Sequence, residues 1–243
     1  MTEPVQNWDP ISAWWIEDVA SDPLHEEDVR SLLEVLVGHP EGVVADLGCG
    51  EGQWLRWLGS DRVGDVADFR MLGCDLSASL LKRAATAAPV VRCRLPDLGW
   101  LRADSIDAAV SVYVADLFAD LDRFFAETAR VTVAGGSLTI IVNHPAFTAP
   151  GSTPLMDQDG EVVFRWGDYF GEGSSTEPAG DRELRFYHRS IGRLLSAAAE
   201  AGWSLQRLEE RGLSAATIAR YPGYSGQQHI PRILGASWTL RVG

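Results

Sequence analysis

The chain has 243 residues, 46% hydrophobic and 23% charged, which is enough for one sizeable core and ordinary for a globular domain. Its formal net charge is −13 and no Lys/Arg cluster interrupts the acidic excess, so nucleic acid, which needs a basic face, is excluded as the expected partner. Cys49, Cys74 and Cys93 form no C-x-x-C pair and read as small buried residues of a reducing compartment with no metal site; with no signal-peptide blocks and no apolar run long enough for a bilayer, the expectation is a soluble, cytoplasmic protein without a membrane partner.

The first forty residues read as a helical cap. Trp8-Asp9-Pro10 opens one helix, which runs through Ala20 and carries Trp14 and Trp15. Asp22 caps a second, with Pro23 at its first helical position, and Gly38 and Pro40 stop it. Trp14 and Trp15 either pack on a sheet edge or cover a ligand.

The stretch Val43–Gly52 follows. An apolar run ends at Asp46, and Gly48, Gly50 and Gly52 stand at alternate positions before the helical segment Gln53–Leu58. This is a buried strand, a tight turn and a helix start, with backbone N–H groups aimed at whatever sits there. A dinucleotide fingerprint would space its glycines G-x-G-x-x-G. Here the spacing is G-x-G-x-G, and the acid before it suits a ligand that carries a cation. Met71–Asp75 reads as a second strand ending in an acid, with a helix from about Ser77 to Ala88. An acid there can accept hydrogen bonds from two ribose hydroxyls, or can cap the helix. Pro89–Cys93, Ser105–Val114 and Ser137–Val142 read as further strands, and Asp120–Val131 as a helix.

These motifs, with S-I-D-A-A-V at Ser105–Val110 and R-V-T-V-A-G-G at Arg130–Gly136, resemble class I S-adenosylmethionine-dependent methyltransferases continuously from about Val43 to Asn143. The resemblance implies a single Rossmann-like α/β domain, with a mostly parallel sheet of about seven strands flanked by helices. It implies S-adenosylmethionine as cofactor, held by Asp46, Gly48, Cys49, Gly50 and Gly52, with Asp75 on the ribose, Leu76 against adenine and Ser111 at the methionine part. The sequence departs from the family after the third strand, where an acid usually reads the adenine amino group. Arg94 or Cys93 stands there, so backbone groups of Arg94 and Leu95 are expected to hold the adenine. Ala134 also replaces a proline of the family's glycine turn.

From Pro150 to about Arg185 the composition turns to Gly, Ser, Thr, Pro and acids. Asp159-Gly160 suggests a hairpin turn, Gly171–Gly180 reads as mobile, and Trp166 and Tyr169 favour a cover over the site. Ser190–Ala201 reads as a helix, and Trp203–Leu208 and Ser237–Val242 as sixth and seventh strands. The whole chain, 1–243, is then one domain: a cap at 1–40, a cofactor core at 43–143, an insertion at 144–189 and a C-terminal part at 190–243.

Candidate catalytic groups follow the fourth and fifth strands. His144 is a general base or a residue that hydrogen-bonds its loop before Pro145. Asp116 is a base or the cap of a helix near Leu117, and Tyr113 orients substrate or packs. His188 reaches the site if the insertion folds over. The expected function is methyl transfer to O or N of a small molecule or peptide, with His144-Pro145-Ala146-Phe147 resembling enzymes of bacterial secondary metabolism. A regulatory protein that binds the cofactor without catalysis is the second reading. Composition says nothing of the oligomeric state.

Overall fold

The structure, a computed structural model, describes residues 8–19, 22, 27–59 and 69–242. The apolar runs of the first half become β1 (Gly42–Leu47), β2 (Phe69–Asp75), β3 (Val90–Arg92), β4 (Ile106–Val112) and β5 (Thr132–Asn143). β1 and β4 are apolar at consecutive positions, as strands covered on both faces must be. With β10 (Trp203–Arg211) and β11 (Ile233–Leu240) they form a seven-stranded sheet of order β10-β11-β5-β4-β1-β2-β3. Neighbours from β3 to β5 are parallel, and β11 runs antiparallel to both β5 and β10. The strand order reverses between β1 and β4. At such a switch point an open α/β sheet leaves a crevice beyond its carboxyl ends.

Helices cover both faces. One side holds α5 (Leu121–Val131) and α7 (Ile191–Glu200), where Phe124, Phe125, Trp203 and Trp238 are almost fully buried. The Phe125 ring meets Phe124 at 5.6 Å and Trp238 at 5.7 Å, both edge-on. On the other side Val29, Leu32 and Leu33 of α2 (Val29–Val37) bury against Val44, Ile141 and Ile233. Side chains cap the helix starts as the sequence expects. Ser77 accepts from Leu80 N–H before α4 (Ala78–Ala84), Asp120 from Arg123 N–H, and Ser190 from Arg193 N–H. The second cap helix was expected to open at Asp22-Pro23; residues 23–26 lie outside the described residues.

Two segments differ from the sequence reading. The Trp8 helix is broken into a 3₁₀ turn (Asp9–Ile11), α1 (Ser12–Trp14) and a π turn (Trp15–Val19). A piece this short has little helical stability of its own, so its tertiary contacts set the shape. Asp9 is drawn to α4, accepting from Ser77 Oγ–H at 2.6 Å and Ser79 N–H at 3.0 Å. In the insertion, β6 (Thr153–Met156) and β7 (Val162–Arg165) pair around Asp159-Gly160 as expected. Residues 171–180 do not form a mobile stretch: β8 (Gly173–Ala179) pairs antiparallel with β9 (Arg182–His188). Its Ala179 and Leu184 are buried against Ile11, with Trp8, Trp14 and Phe186 packed around them. That burial joins segments far apart in the chain, which local composition cannot report.

The Asp9 clasp gives a prediction. Its carboxyl sits below the ordinary 3.8 because the Ser77 hydroxyl and the Ser79 amide favour the ionised form. The clasp therefore holds above that pH and is lost as pH falls through the lowered value. Asp9→Ala should speed amide exchange across residues 8–19 at neutral pH while leaving the core strands protected. Unchanged exchange in that segment would mean that the Ile11 contacts alone hold the cap.

Candidate functional site

A cavity of about 790 Å³ opens at the carboxyl ends of β1, β2 and β4, within the roughly 300–1,000 Å³ typical of small-molecule sites. The glycine loop forms one wall. The N–H groups of Gly48 and Cys49 both donate to Cys74 O, at 2.8 and 2.9 Å, which turns the loop across the end of β2. Gly50 has φ +53°, and a Cβ on it would meet only Trp15 Nε1, at 3.7 Å, so the backbone is bare toward the cavity. Gly52 serves packing instead. It has φ +87° at the start of α3 (Gln53–Leu58), and a Cβ there would stand 2.8 Å from Ala84 Cα. Glu51 is buried under the loop between Arg56 and Arg83.

Two carboxylates lie beside the loop. Asp75 Oδ2 accepts from Gly50 N–H at 2.9 Å and Oδ1 from Ser77 N–H at 2.8 Å. Burial raises its pKa against the pull of these amides. Asp46 is fully buried and neither oxygen has a hydrogen-bond partner among the described residues. Burial, with repulsion from Asp75 second, pushes its pKa up to about 8.

Leu76, Leu80, Arg94, Leu95 and Pro96 line the next wall, so Arg94 and Leu95 face the cavity where the adenine contact was expected. Opposite stand Val112, Tyr113 and Val114 at the end of β4. Tyr113 has φ +56°, an unusual backbone for a bulky residue, held by its N–H to Ile141 O at 2.7 Å. Burial, then the Asp116 charge, keeps the proton on its phenol. Leu117, Phe118 and Ala119 continue the wall. The Arg189 guanidinium fastens them by donating to the carbonyls of Ala115 (3.1 Å), Phe118 and Ala119 (2.6 Å). Trp8 and Trp15 of the cap, whose rings meet edge-on at 5.7 Å, roof one half. Thr176, Arg182, Glu183, Arg185 and Tyr187 of the β8–β9 hairpin roof the other.

Of the residues singled out in the sequence, Gly48, Gly50, Asp75, Leu76, Arg94, Leu95, Tyr113 and Trp15 come together on the cavity. Asp46, Cys49, Gly52 and Ser111 lie behind it. Ser111 Oγ–H donates to Leu47 O at 2.9 Å and ties β4 to β1. Trp14 packs under the hairpin with Leu184. Trp166 is 63% exposed and stacks edge-on with Phe164 and Tyr169, away from the cavity. The Tyr169 hydroxyl accepts from Ile191 N–H at 3.1 Å, and His188 Nε2 donates to Tyr169 O at 3.0 Å, so both build the insertion.

Of the three expected catalytic groups Tyr113 lines the cavity, while Asp116 and His144 do not. No helix starts at Leu117, so Asp116 is not a cap; it is half-buried and accepts from Asn143 Nδ2 at 3.0 Å. His144 is 3% exposed and caps the short helix α6 (Pro145–Thr148). Its Nδ1 accepts from Ala146 N–H at 3.1 Å, so Nε2 carries the hydrogen and donates to Glu210 Oε1 at 2.7 Å. The ring has no lone pair left for a substrate proton. Sequence reasoning missed Trp8 as a lining residue and the whole β9 contribution. The one signal for the latter was the alternation Glu183–Arg185–Tyr187, set in a stretch that reads as loop.

Residues 45–140 match a family described as a methyltransferase domain. No curated protein matches the chain. A methyltransferase from Mesorhizobium loti that depends on S-adenosylmethionine is similar at 26% identity and TM-score 0.74, over 86% of this chain and 96% of that one. A candidate enzyme of the same description from Listeria monocytogenes is similar at 22% identity and TM-score 0.72, over 88% and 97%. A chain from the complex of Haloferax volcanii Trm112, a methyltransferase activator, with its candidate methyltransferase is similar at 16% identity and TM-score 0.68, over 98% and 99%. The last two likenesses are of fold. Among the described residues no helix is long and apolar enough to cross a membrane.

Asp46 makes stability depend on pH. A carboxyl whose folded pKa is near 8 instead of 3.8 contributes fully below 3.8 and loses that contribution as pH rises through 8. Asp46→Asn should therefore flatten the profile, so that its urea midpoint gains on the parent's between pH 5 and about 8.5. Parallel profiles would show that Asp46 does not titrate in this range.

Proposed function

We propose that this chain, which belongs to the class I S-adenosylmethionine-dependent methyltransferases, moves the cofactor's methyl group to an oxygen or nitrogen of a small molecule or peptide end. One observation carries the reading: the buried, unpartnered Asp46 carboxyl beneath a glycine loop that is bare at Gly50 and abuts Asp75. A buried carboxyl with no partner, kept protonated by burial until a positive charge arrives, suits a ligand that brings one, and this cofactor has both a sulfonium and an ammonium. When bound it supplies a methyl group on a positively charged sulfur, ready for in-line displacement.

The chain's own residues then bind and orient. The Gly48–Gly50 backbone lets the ligand approach, Asp75 still has lone pairs for ribose hydroxyls, and Leu76, Leu80, Leu95 and Pro96 supply apolar contact for adenine. Asp46 balances the positive charge from below. Tyr113 and Val114 set the floor on which the acceptor atom must lie. With His144 hydrogen-bonded through both ring nitrogens and the Tyr113 phenol neutral, the rate arises from positioning and the exclusion of water by the two-part roof. The partly roofed cavity favours a small molecule or chain end over a folded macromolecule, and the His144–Phe147 segment is the ground for placing the enzyme in bacterial secondary metabolism. We keep residues 1–40 as the cap and 144–189 as the substrate cover of one domain, 1–243.

Calorimetry with S-adenosylhomocysteine tests this. Gly50→Val should abolish binding while circular dichroism stays unchanged, and Asp75→Ala should weaken it by about 1.5–3 kcal/mol, the scale of hydrogen bonds to a charged group. Parent-like affinity in a folded Gly50→Val variant would reject the placement. For His144→Ala the expectation is a stability loss of about 1–3 kcal/mol from the orphaned Ala146 amide, with the same affinity for the cofactor product. Full stability with lost turnover would restore His144 as the base.

A further inference from the structure

We propose that the exposed apolar strip of the β6–β7 insertion docks a protein partner through a basic amphipathic segment. The partner lays an apolar stripe on Leu155, Met156, Val163 and Phe170 and sets Lys or Arg against the carboxylates at the two ends of the strip. None of these side chains lines the cavity, so the strip is separate from the cofactor site.

A single exposed apolar side chain means little, because folded surfaces carry many. Here they are gathered, and gathering marks a contact surface. Of the nine large apolar side chains exposed among the described residues, Leu155, Met156, Val163, Trp166 and Phe170 fall on this one insertion. Strand alternation explains part of the pattern. Val162 and Phe164 turn inward. Phe164 stacks on Phe147 at 6.0 Å, and Val162 presses on Gly226, where a Cβ would stand 2.7 Å from its Cγ2. Leu155 and Val163, opposite each other in register, therefore face out, and each is 42% exposed. Met156 overhangs at the turn end, 74% exposed, and Phe170 stands beyond the other end, 89% exposed. Trp166 braces Phe164 and Tyr169 edge-on and forms part of the rim. Four residues of strand span about 13 Å, the length of some two turns of helix.

Carboxylates stand at both ends. Asp157, Asp159 and Glu161 surround the turn, Asp168 and Glu172 flank Phe170, and Arg165 is the cation between them. Asp157 Oδ1 accepts from Asp159 N–H at 3.0 Å and Glu161 N–H at 2.8 Å, and Asp168 Oδ1 from Gly171 N–H at 3.0 Å. These amides fix the carboxylates but bring no countercharge. Among the described residues Glu172 alone of the five is ion-paired, to Arg193 at 3.4 Å.

That pattern selects the occupant. A second copy would set the same acids against themselves, in chains of net charge −13 each, and juxtaposed like charges oppose association. A membrane surface calls for Lys and Arg beside the apolar face, the reverse of what stands here. A segment with an apolar stripe and basic residues beyond each end complements both features, in the manner of an amphipathic helix laid on an apolar surface. The open faces of Trp166 and Phe170 give its cations aromatic partners as well.

Fluorescence anisotropy on the full chain tests this with three synthetic peptides: an amphipathic leucine–lysine helix, its leucine–glutamate twin, and a serine–lysine peptide of equal charge. The leucine–lysine peptide should bind about tenfold or more tightly than either other. Leu155→Ser/Met156→Ser/Phe170→Ser should weaken it about tenfold, and Asp159→Asn/Glu161→Gln/Asp168→Asn about threefold or more. Glu34→Gln/Glu41→Gln/Glu200→Gln removes as much exposed charge outside the insertion and should leave affinity within about twofold of the parent. Should the apolar triple variant fail to fold by circular dichroism, Phe170→Ser alone decides, with an expected loss of about threefold. No saturable binding, equal binding of either control peptide, or an equal loss in the distant charge variant would overturn the proposal. A dimer in sedimentation that the apolar variant dissolves would overturn it in favour of a second copy. Binding to phosphatidylcholine or phosphatidylglycerol vesicles that the apolar variant loses would overturn it in favour of a lipid surface.

Discussion

Two carboxylates that cannot both be comfortable set the terms for this molecule. Asp46 and Asp75 stand at the ends of neighbouring parallel strands, Asp46 fully buried and Asp75 half-buried at the cavity, and desolvation raises both pKa values. Asp75 is compensated by two backbone amides, whereas Asp46 has no partner among the described residues. Leaving one buried polar group unsatisfied costs about 1–3 kcal/mol, a sizeable share of the stability of a domain. The sheet bears it because its central strands are pinned from several sides. Ser111 bonds to Leu47 O, and the Gly48 and Cys49 amides converge on Cys74 O. The same rigidity keeps the loop from collapsing onto Asp46 and supplying a donor, so the carboxyl is left for a ligand to meet.

The roof solves a different problem, the exclusion of water from an edge that a Rossmann-like sheet leaves open. Neither the N-terminal cap nor the β8–β9 hairpin has a core of its own. Each buries its apolar underside against the other, through Ile11, Ala179 and Leu184. Asp9 clasps this pair to the start of α4, directly after the Asp75 strand end. Tyr187 N–H donates to Asp116 O at 2.7 Å and joins the hairpin to the wall beyond β4. The two halves of the roof are therefore one packed unit anchored at two points on the core.

The core was legible in the sequence because its signals are local. Apolar runs gave the parallel strands, Ser77, Asp120 and Ser190 marked helix starts, and Asp159-Gly160 marked a hairpin. The glycine spacing led to the cavity wall. What could not be read depends on contacts between distant segments. Gly52 sits in the same motif as Gly50 but answers to Ala84 of a different helix. His144 occupies a strand end, where function is expected, yet its lone pair goes to an amide two residues on. The Ser, Thr and Gly of residues 171–180 look like loop because the side chains that order them stand near residue 11. Trp166 shows the limit of aromatic content as a sign of function, since an insertion needs rings for its own assembly too.

Arg189 has a consequence for how the protein is made and how it can be changed. The glycine loop and the strand ends beside it precede Asn143 in the chain, and the wall they adjoin runs from Ala115 to Ala119. Three carbonyls of that wall are gathered by a guanidinium that leaves the ribosome some seventy residues later, by the spacing of the hydrogen-bonded pairs. The early half of the domain cannot finish this wall of the cavity, which stays provisional until the late segment docks. A hairpin transplanted from a relative would leave these carbonyls without their donor unless it carried an equivalent of this arginine. The roof hairpin and the wall beyond β4 are thus inherited together, as a single unit drawn from two separate stretches of the gene.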